Sequence, residues 1–169
     1  MQHLITTNDV VILSRGMSVH VDESKISVYL REAENIDIKS ALGDALFIDI
    51  RNNPEKYSLL MDGGMYETKC SEKKLFAGLK TTLAYYTYAR IIKNGDGNVT
   101  RYGYFNKEDE FGSRPDFKEK LMAYNDAFDI AAKYMQECLE FLSANKDTYP
   151  LFKKGRVRAN GNSYKIVGE

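Results

Sequence analysis

Three carboxylate pairs are spaced closely enough to suggest acid–base work: Asp44 with Asp49, Glu108 with Asp109, and Asp126 with Asp129. Two carboxylates flanking a bond suffice for glycoside hydrolysis. These pairs fall on the polar sides of expected helices or in a charged loop, where solvation is the ordinary role of a carboxylate. His3 and His20 lie in terminal or loop segments, with no visible partner for general-base catalysis. Cys70 and Cys138 stand 68 residues apart, which fits neither a disulfide framework nor a CxxC metal or redox site. The stretch Asn94-Gly95-Asp96-Gly97-Asn98 has the look of a calcium loop. Starting that loop at Asn94 puts Val99 at the sharp turn that needs glycine and Phe105 where a bidentate glutamate is needed, so a hairpin turn is the better reading. No phosphate-binding loop, dinucleotide fingerprint, zincin pair or nucleophile elbow occurs. The sequence therefore offers no catalytic, cofactor-binding or metal-ligating set, and the expectation is a protein that is not an enzyme.

The chain has 169 residues, 43% of them hydrophobic, with 24 basic and 24 acidic side chains. That length suits one domain able to bury about two-thirds of its unfolded-chain surface without staples. No apolar run approaches the ~20 residues that cross a bilayer, and no membrane partner is expected. The first residues lack a basic region followed by an apolar stretch, so no secretory signal is expected either. These features suit a soluble intracellular or virion domain. Charge is unevenly placed: from Lys153 onward five basic residues face only Glu169, leaving the tail at +4 and the rest at −4. This pattern divides the chain into a domain over 1–152 and a basic C-terminal arm over 153–169, an interaction arm by composition.

Helical spacing dominates the domain. Val10-Val11-Ile12-Leu13 reads as a short strand or a packed lead-in. Asp22 caps a helix on which Ile26, Tyr29, Leu30, Ala33 and Ile36 recur. Gly43 ends a turn and Asp44 caps the next helix, with Leu46, Phe47 and Ile50 on one face and Asn52-Asn53-Pro54 as its stop. Tyr57, Leu59, Leu60 and Met61 supply another turn before Gly63-Gly64. Met65 to Cys70 is a weak short strand. Lys74 to Ile92 reads as a helix apolar on most sides, hence a central one, with Gly78 allowing close approach of another backbone. Phe117, Leu121, Tyr124, Phe128, Ala131, Met135, Cys138 and Leu142 make a strict heptad stripe over 26 residues, or ~39 Å of helix. Pro115 sits near its start and Ser113 is a candidate cap. The seam packs on another helix of the chain or on a partner.

The connection between the two long helices, 94–114, exceeds the usual loop of about 4–6 residues. Its turn dipeptides and the run Val99 to Phe105 make it β-prone. The expected architecture is mainly α: a helical bundle with two long helices, a β-prone insert between them, and an extended C-terminal arm in which Tyr164 to Val167 is strand-like. Aromatic β-arms on helical bodies commonly grip a neighbour by strand addition. The candidate protein-interaction residues are therefore Val99, Tyr102, Tyr104 and Phe105 in the insert and Arg156, Arg158, Tyr164 and Ile166 in the arm.

Ala41-Leu42-Gly43-Asp44-Ala45-Leu46-Phe47, the apolar run Gly78 to Arg90, Asn98-Val99-Thr100-Arg101-Tyr102-Gly103, and the end of the long helix, Leu142 to Asn145 with Tyr149-Pro150, together carry a resemblance. The chain resembles head–tail connector proteins of tailed phages that infect Bacteroides-type bacteria, with ring proteins of crAss-like phages the nearest group. The similarity runs from about residue 20 to 152 and rests on packing patterns. It implies that 1–152 is a helical connector domain in a homo-oligomeric, twelvefold ring beneath the portal protein. It further implies docking of the next tail ring or tail proteins, and packaged double-stranded DNA passing through the channel without sequence-specific contact. The implied location is the head–tail junction of the virion, and the host cytoplasm during assembly. A small nucleic-acid-binding or regulatory helical protein using the basic tail is the alternative, and it predicts steeply salt-dependent duplex binding. A phage muramidase suits the length but lacks a recognisable acid–nucleophile pair.

Overall fold

The computed structural model describes residues 3–17, 21–95, 97–101, 103–106 and 116–153, with the backbone alone for 97–100 and 103–106. Among these residues the chain is mainly α, as expected. Helices α1 (Thr7–Leu13), α2 (Glu23–Ala33), α3 (Lys39–Leu42), α4 (Asp44–Asn52) and α5 (Ser58–Asp62) precede the two long ones, α6 (Gly78–Asn94) and α7 (Phe117–Ala144). A π-helical turn, Glu34–Ile38, joins α2 to α3, and a 3₁₀ turn, Pro54–Tyr57, joins α4 to α5. Two antiparallel ribbons complete the list: β1 (Gly64–Glu67) with β2 (Lys73–Phe76), and β3 (Gly97–Thr100) with β4 (Gly103–Asn106).

Several local expectations are met for the reasons given. The Asp22 carboxylate accepts from the Ser24 N–H at 2.9 Å and starts α2. Leu46, Phe47 and Ile50 are buried along α4, which ends just before Asn53-Pro54. The apolar helix α6 is central, buried from Gly78 to Ala89 and packed by α1, α2, α5 and α7.

Others are corrected. Val10 to Leu13 lies in α1 instead of a strand. Asp9 N–H donates to Thr6 Oγ1 at 3.1 Å and Thr6 N–H to Asp9 Oδ2 at 2.8 Å, a reciprocal cap that outweighs the β-branched run. Asp44 is the first residue of α4, not its cap, and its carboxylate pairs with Lys39 at 3.0 Å. The segment Lys73 to Phe76, read partly as the start of the central helix, is strand β2, in register with β1 through Met65↔Leu75. Helix α7 is entered through Asp116, whose N–H donates to Glu119 Oε2 at 3.2 Å; Ser113 lies outside the described residues. Ile36 is exposed although its spacing continued the α2 stripe. The π turn inserts an extra residue per turn, so Glu34 and Ile38 face inward in its place.

Gly63 and Gly78 hold the ribbon against the helix. Both adopt left-handed φ values, +79° and +83°. A Cβ on Gly78 would meet the Gly63 nitrogen, the Asp62 carbonyl carbon at 2.6 Å and the Met61 oxygen at 2.8 Å. Close approach at Gly78 was legible, but it occurs at the first turn of α6, not within the helix.

Among the described residues one core runs from Ile5 to Phe152. At one end of the α6–α7 pair, Phe141 stacks on Phe76 with ring centroids 4.5 Å apart and meets Tyr66 edge-on at 5.2 Å. Tyr149 stacks on Tyr57 at 5.7 Å over the same cluster.

Candidate functional site

The antiparallel pairing of α6 with α7 is read from its cross-contacts. Thr82 Oγ1 lies 3.7 Å from Cys138 Sγ, the Tyr86 and Phe128 rings are 5.2 Å apart, and Lys93 Nζ sits 4.6 Å over the Tyr124 ring. Lys93 is one residue from the end of α6, so the turns of α7 before Tyr124 extend beyond its partner. The lengths agree: 17 residues in α6 against 28 in α7, or about 26 Å against about 42 Å. The heptad seam is thus divided. Ala131, Met135, Cys138 and Leu142 are buried in the chain's own core, whereas Phe117 is 79% exposed and Leu121 and Met122 are exposed with it.

The opposite end of the pair carries a second apolar exposure. Met65 and Leu75, cross-strand partners in the β1–β2 ribbon, are each 72% exposed, and Leu59 beside them is also exposed. The inner face of that ribbon, Tyr66 and Phe76, is buried on Phe141. Two different apolar surfaces therefore sit at the two ends of one rigid helix pair.

The β3–β4 hairpin emerges at the Phe117 end, three residues after α6 finishes. Its register pairs Val99 with Tyr104 and Asn98 with Phe105. Of the residues proposed from sequence, Val99, Tyr104 and Phe105 are thus brought onto one ribbon. Tyr102, Arg156, Arg158, Tyr164 and Ile166 lie outside the described residues. Phe117, Leu121, Met65 and Leu75 were not singled out. The heptad stripe held the signal for the first two, since a seam longer than any intrachain partner must end bare.

The chemistry that sequence reasoning missed is a buried carboxylate. Glu34, 1% exposed, accepts from the Leu4 N–H at 2.6 Å and from Arg51 Nη2 at 3.2 Å. It also lies 3.0 Å from His3 Nδ1, and His3 Nε2 is 3.1 Å from Ser27 Oγ. Each ring nitrogen of His3 therefore has a polar partner. His3 thus has partners, contrary to expectation, and the Ser–His–Glu order is that of a nucleophilic triad. Ser27 is the fifth residue of α2, where the backbone N–H belongs to the helix ladder and cannot serve an oxyanion. Arg51 is committed to Glu34 and lies 4.8 Å over the Phe47 ring. The cluster instead ties the N-terminal segment to α2 and α4.

Three further carboxylates, Asp37 and the candidates Asp126 and Asp49, also hold structural partners, while the candidates Glu108 and Asp109 lie outside the described residues. Asp37 in the π turn binds Arg90 through Nε at 3.1 Å and Nη2 at 2.8 Å, and burial raises its carboxyl above the ordinary range against the opposing pull of Arg90. Asp126 pairs with Arg15. Asp49 accepts from the Tyr57 hydroxyl, from Lys56 Nζ at 2.9 Å and from Asn53 Nδ2 at 2.8 Å. These bonds, the one from Tyr57 foremost, hold its carboxyl below the ordinary 3.8. A depressed acid stabilises the fold above its unfolded value, and that contribution fades as pH falls through 3.8 toward the lower folded value. Asp49→Asn should therefore flatten the acid limb of the stability curve below about pH 4. Denaturant titrations at several pH values would read this, and an unchanged acid limb would contradict it.

Burial pushes the Cys138 thiol up to about 11 and the Tyr86 phenol up to about 12, which suits packing and not nucleophilic attack. Among the described residues no group of three or more His, Cys, Asp or Glu could hold a metal, and no helix is long and apolar enough to cross a membrane.

These features define a mainly α protein with exposed apolar side chains at both ends of its long helix pair and a β-hairpin after α6. The chain belongs to the family of unknown function DUF6712, which it matches over residues 38–162. That match takes in both long helices, both ribbons and part of the basic arm. No curated protein matches the chain, and no solved structure does.

Proposed function

We propose that this chain is a structural ring subunit of a tailed-phage head–tail connector, joining the portal to the tail and extending the DNA channel. The observation that carries the reading is the pair of non-equivalent apolar surfaces at opposite ends of a rigid antiparallel helix pair. Unlike surfaces that complement each other make heterologous contacts, and such contacts close into rings when the rotation allows. A twofold dimer needs one self-complementary patch and would leave the second bare. The resemblance to connector proteins supplies the twelvefold ring, the portal and tail partners and the position at the head–tail junction. The long ribbon insert and the basic arm, whose Arg156, Arg158, Tyr164 and Ile166 are its candidate contacts, suit a subunit gripped from both sides. In this reading the protein has no reactive centre and needs no cofactor, and DNA slides past it without sequence-specific contact.

Native mass measurement of the full chain, alone and with a candidate portal protein, tests the assignment. A large closed oligomer in either condition is expected. Removing 155–169, which leaves every described core residue through Phe152 in place, should weaken association without unfolding the body. A strict monomer in both conditions would reject the connector role.

A further inference from the structure

The β1–β2 ribbon and the β3–β4 hairpin flank α6 at its two ends: Phe76 is separated from the helix by Ala77 alone, and Gly97 follows Asn94 by three residues. Among the described residues each ribbon has two strands, which leaves backbone edges open to pairing. Isolated two-stranded ribbons are marginal in water. The β1–β2 ribbon is anchored through Tyr66 and Phe76, yet its outer face presents Met65 and Leu75 to solvent. β3 and β4 pair with each other in register from Gly97↔Asn106 to Thr100↔Gly103.

The geometry points to strand pairing between copies: the β1–β2 ribbon of one chain receives the β3–β4 hairpin of the next, forming a four-stranded intermolecular sheet. The occupant must be a second copy. The hairpin is tied at its base to the far end of α6, which is about 26 Å long, and four-residue strands reach only about 13 Å. It cannot meet the ribbon of its own chain. Sheet addition satisfies the open edges of both ribbons, and the hairpin strands contain the β-prone and aromatic residue types Val99, Tyr104 and Phe105. Because donor and acceptor lie at opposite ends, each copy offers one of each, and the contact propagates head to tail. The inference rests on the ring reading and names the contact that would build it.

Complementary variants of the full chain test it. Leu75→Lys disables the acceptor and leaves the hairpin intact; Val99→Lys disables the donor and leaves the acceptor intact. Leu75 is exposed and Val99 lies in a two-stranded ribbon apart from the helices that dominate the spectrum, so both variants should retain the wild-type circular dichroism spectrum. Wild-type protein should assemble without a partner, and each variant alone should associate on the order of a hundredfold more weakly. Mixed in equal amounts, the two variants share one productive contact, so sedimentation should show a heterodimer and nothing larger. Variants that assemble like wild type, or a mixture that stays monomeric while wild type forms rings, would overturn the pairing and leave the ring reading standing. Wild-type protein that remains monomeric at roughly 1 mM would also overturn the pairing, and the measurement with the portal protein would then decide the ring reading separately.

Discussion

Replacing Gly78 with alanine should lower the unfolding free energy by about 4 kcal/mol or more, placing it among the exceptional single substitutions. Two costs combine. An L-residue at φ +83° is strained by about 1–2 kcal/mol. The new Cβ also strikes main-chain atoms of Met61, Asp62 and Gly63, the closest being the Gly63 nitrogen, and no rotamer change can move a backbone aside. Relief requires pulling β1 away from the start of α6, which would loosen Tyr66 and Phe76 from Phe141. The thermal midpoint should fall by roughly 10 °C for a domain of this size. Gly16→Ala is the control, since nothing lies within 4 Å of its added Cβ; it should stay within about 0.5 kcal/mol of wild type. A Gly78→Ala protein as stable as the control would show that the two glycines are not interlocked.

Glu34→Ala should cost about 3–5 kcal/mol, the range for removing one partner of a buried ion pair. The loss has three parts: Arg51 loses its bond to this buried carboxylate, the Leu4 N–H loses its acceptor, and His3 loses the group that orients it. Glu34→Gln retains an acceptor but no charge and should cost less, about 1–3 kcal/mol. A second readout separates this cluster from general destabilisation. Residues His3 and Leu4 are tied to α2 and the π turn through Glu34 and Ser27, so limited proteolysis should cut Glu34→Ala near its N-terminus at conditions where Gly78→Ala is still resistant there. Denaturation curves for Glu34→Ala within 1 kcal/mol of wild type would contradict this account.

The two substitutions mark different degrees of legibility. A glycine within an apolar run already suggests close backbone contact, whereas its place at the start of α6 and the identity of the neighbouring segment, Gly63 after α5, needed the fold. Glu34 gave no such sign. It sits among charged residues in a helix and reads as solvated, while its partners are 31 residues earlier and 17 later. The π turn that rotates it inward has no local sequence signature in Glu34-Asn35-Ile36-Asp37-Ile38.

The same contrast runs through the candidate surface. Local rules were sufficient for the mainly α class, for the Asp22 and Asn53-Pro54 helix boundaries, for the central position of α6 and for a hairpin in the insert. Each depends on spacing, caps and turn residues within a few positions of one another, which any chain of this sequence carries before it folds. The division of the heptad stripe was decided only in three dimensions: its eight residues are alike in pattern, and what separates buried Leu142 from exposed Phe117 is that α6 stops at Asn94. The pairing of Lys73 to Phe76 with β1, the burial of Glu34 and the placing of two apolar faces at opposite ends of one helix pair have the same origin. Each depends on which distant segment arrives alongside, and residue spacing along the chain carries no record of that meeting.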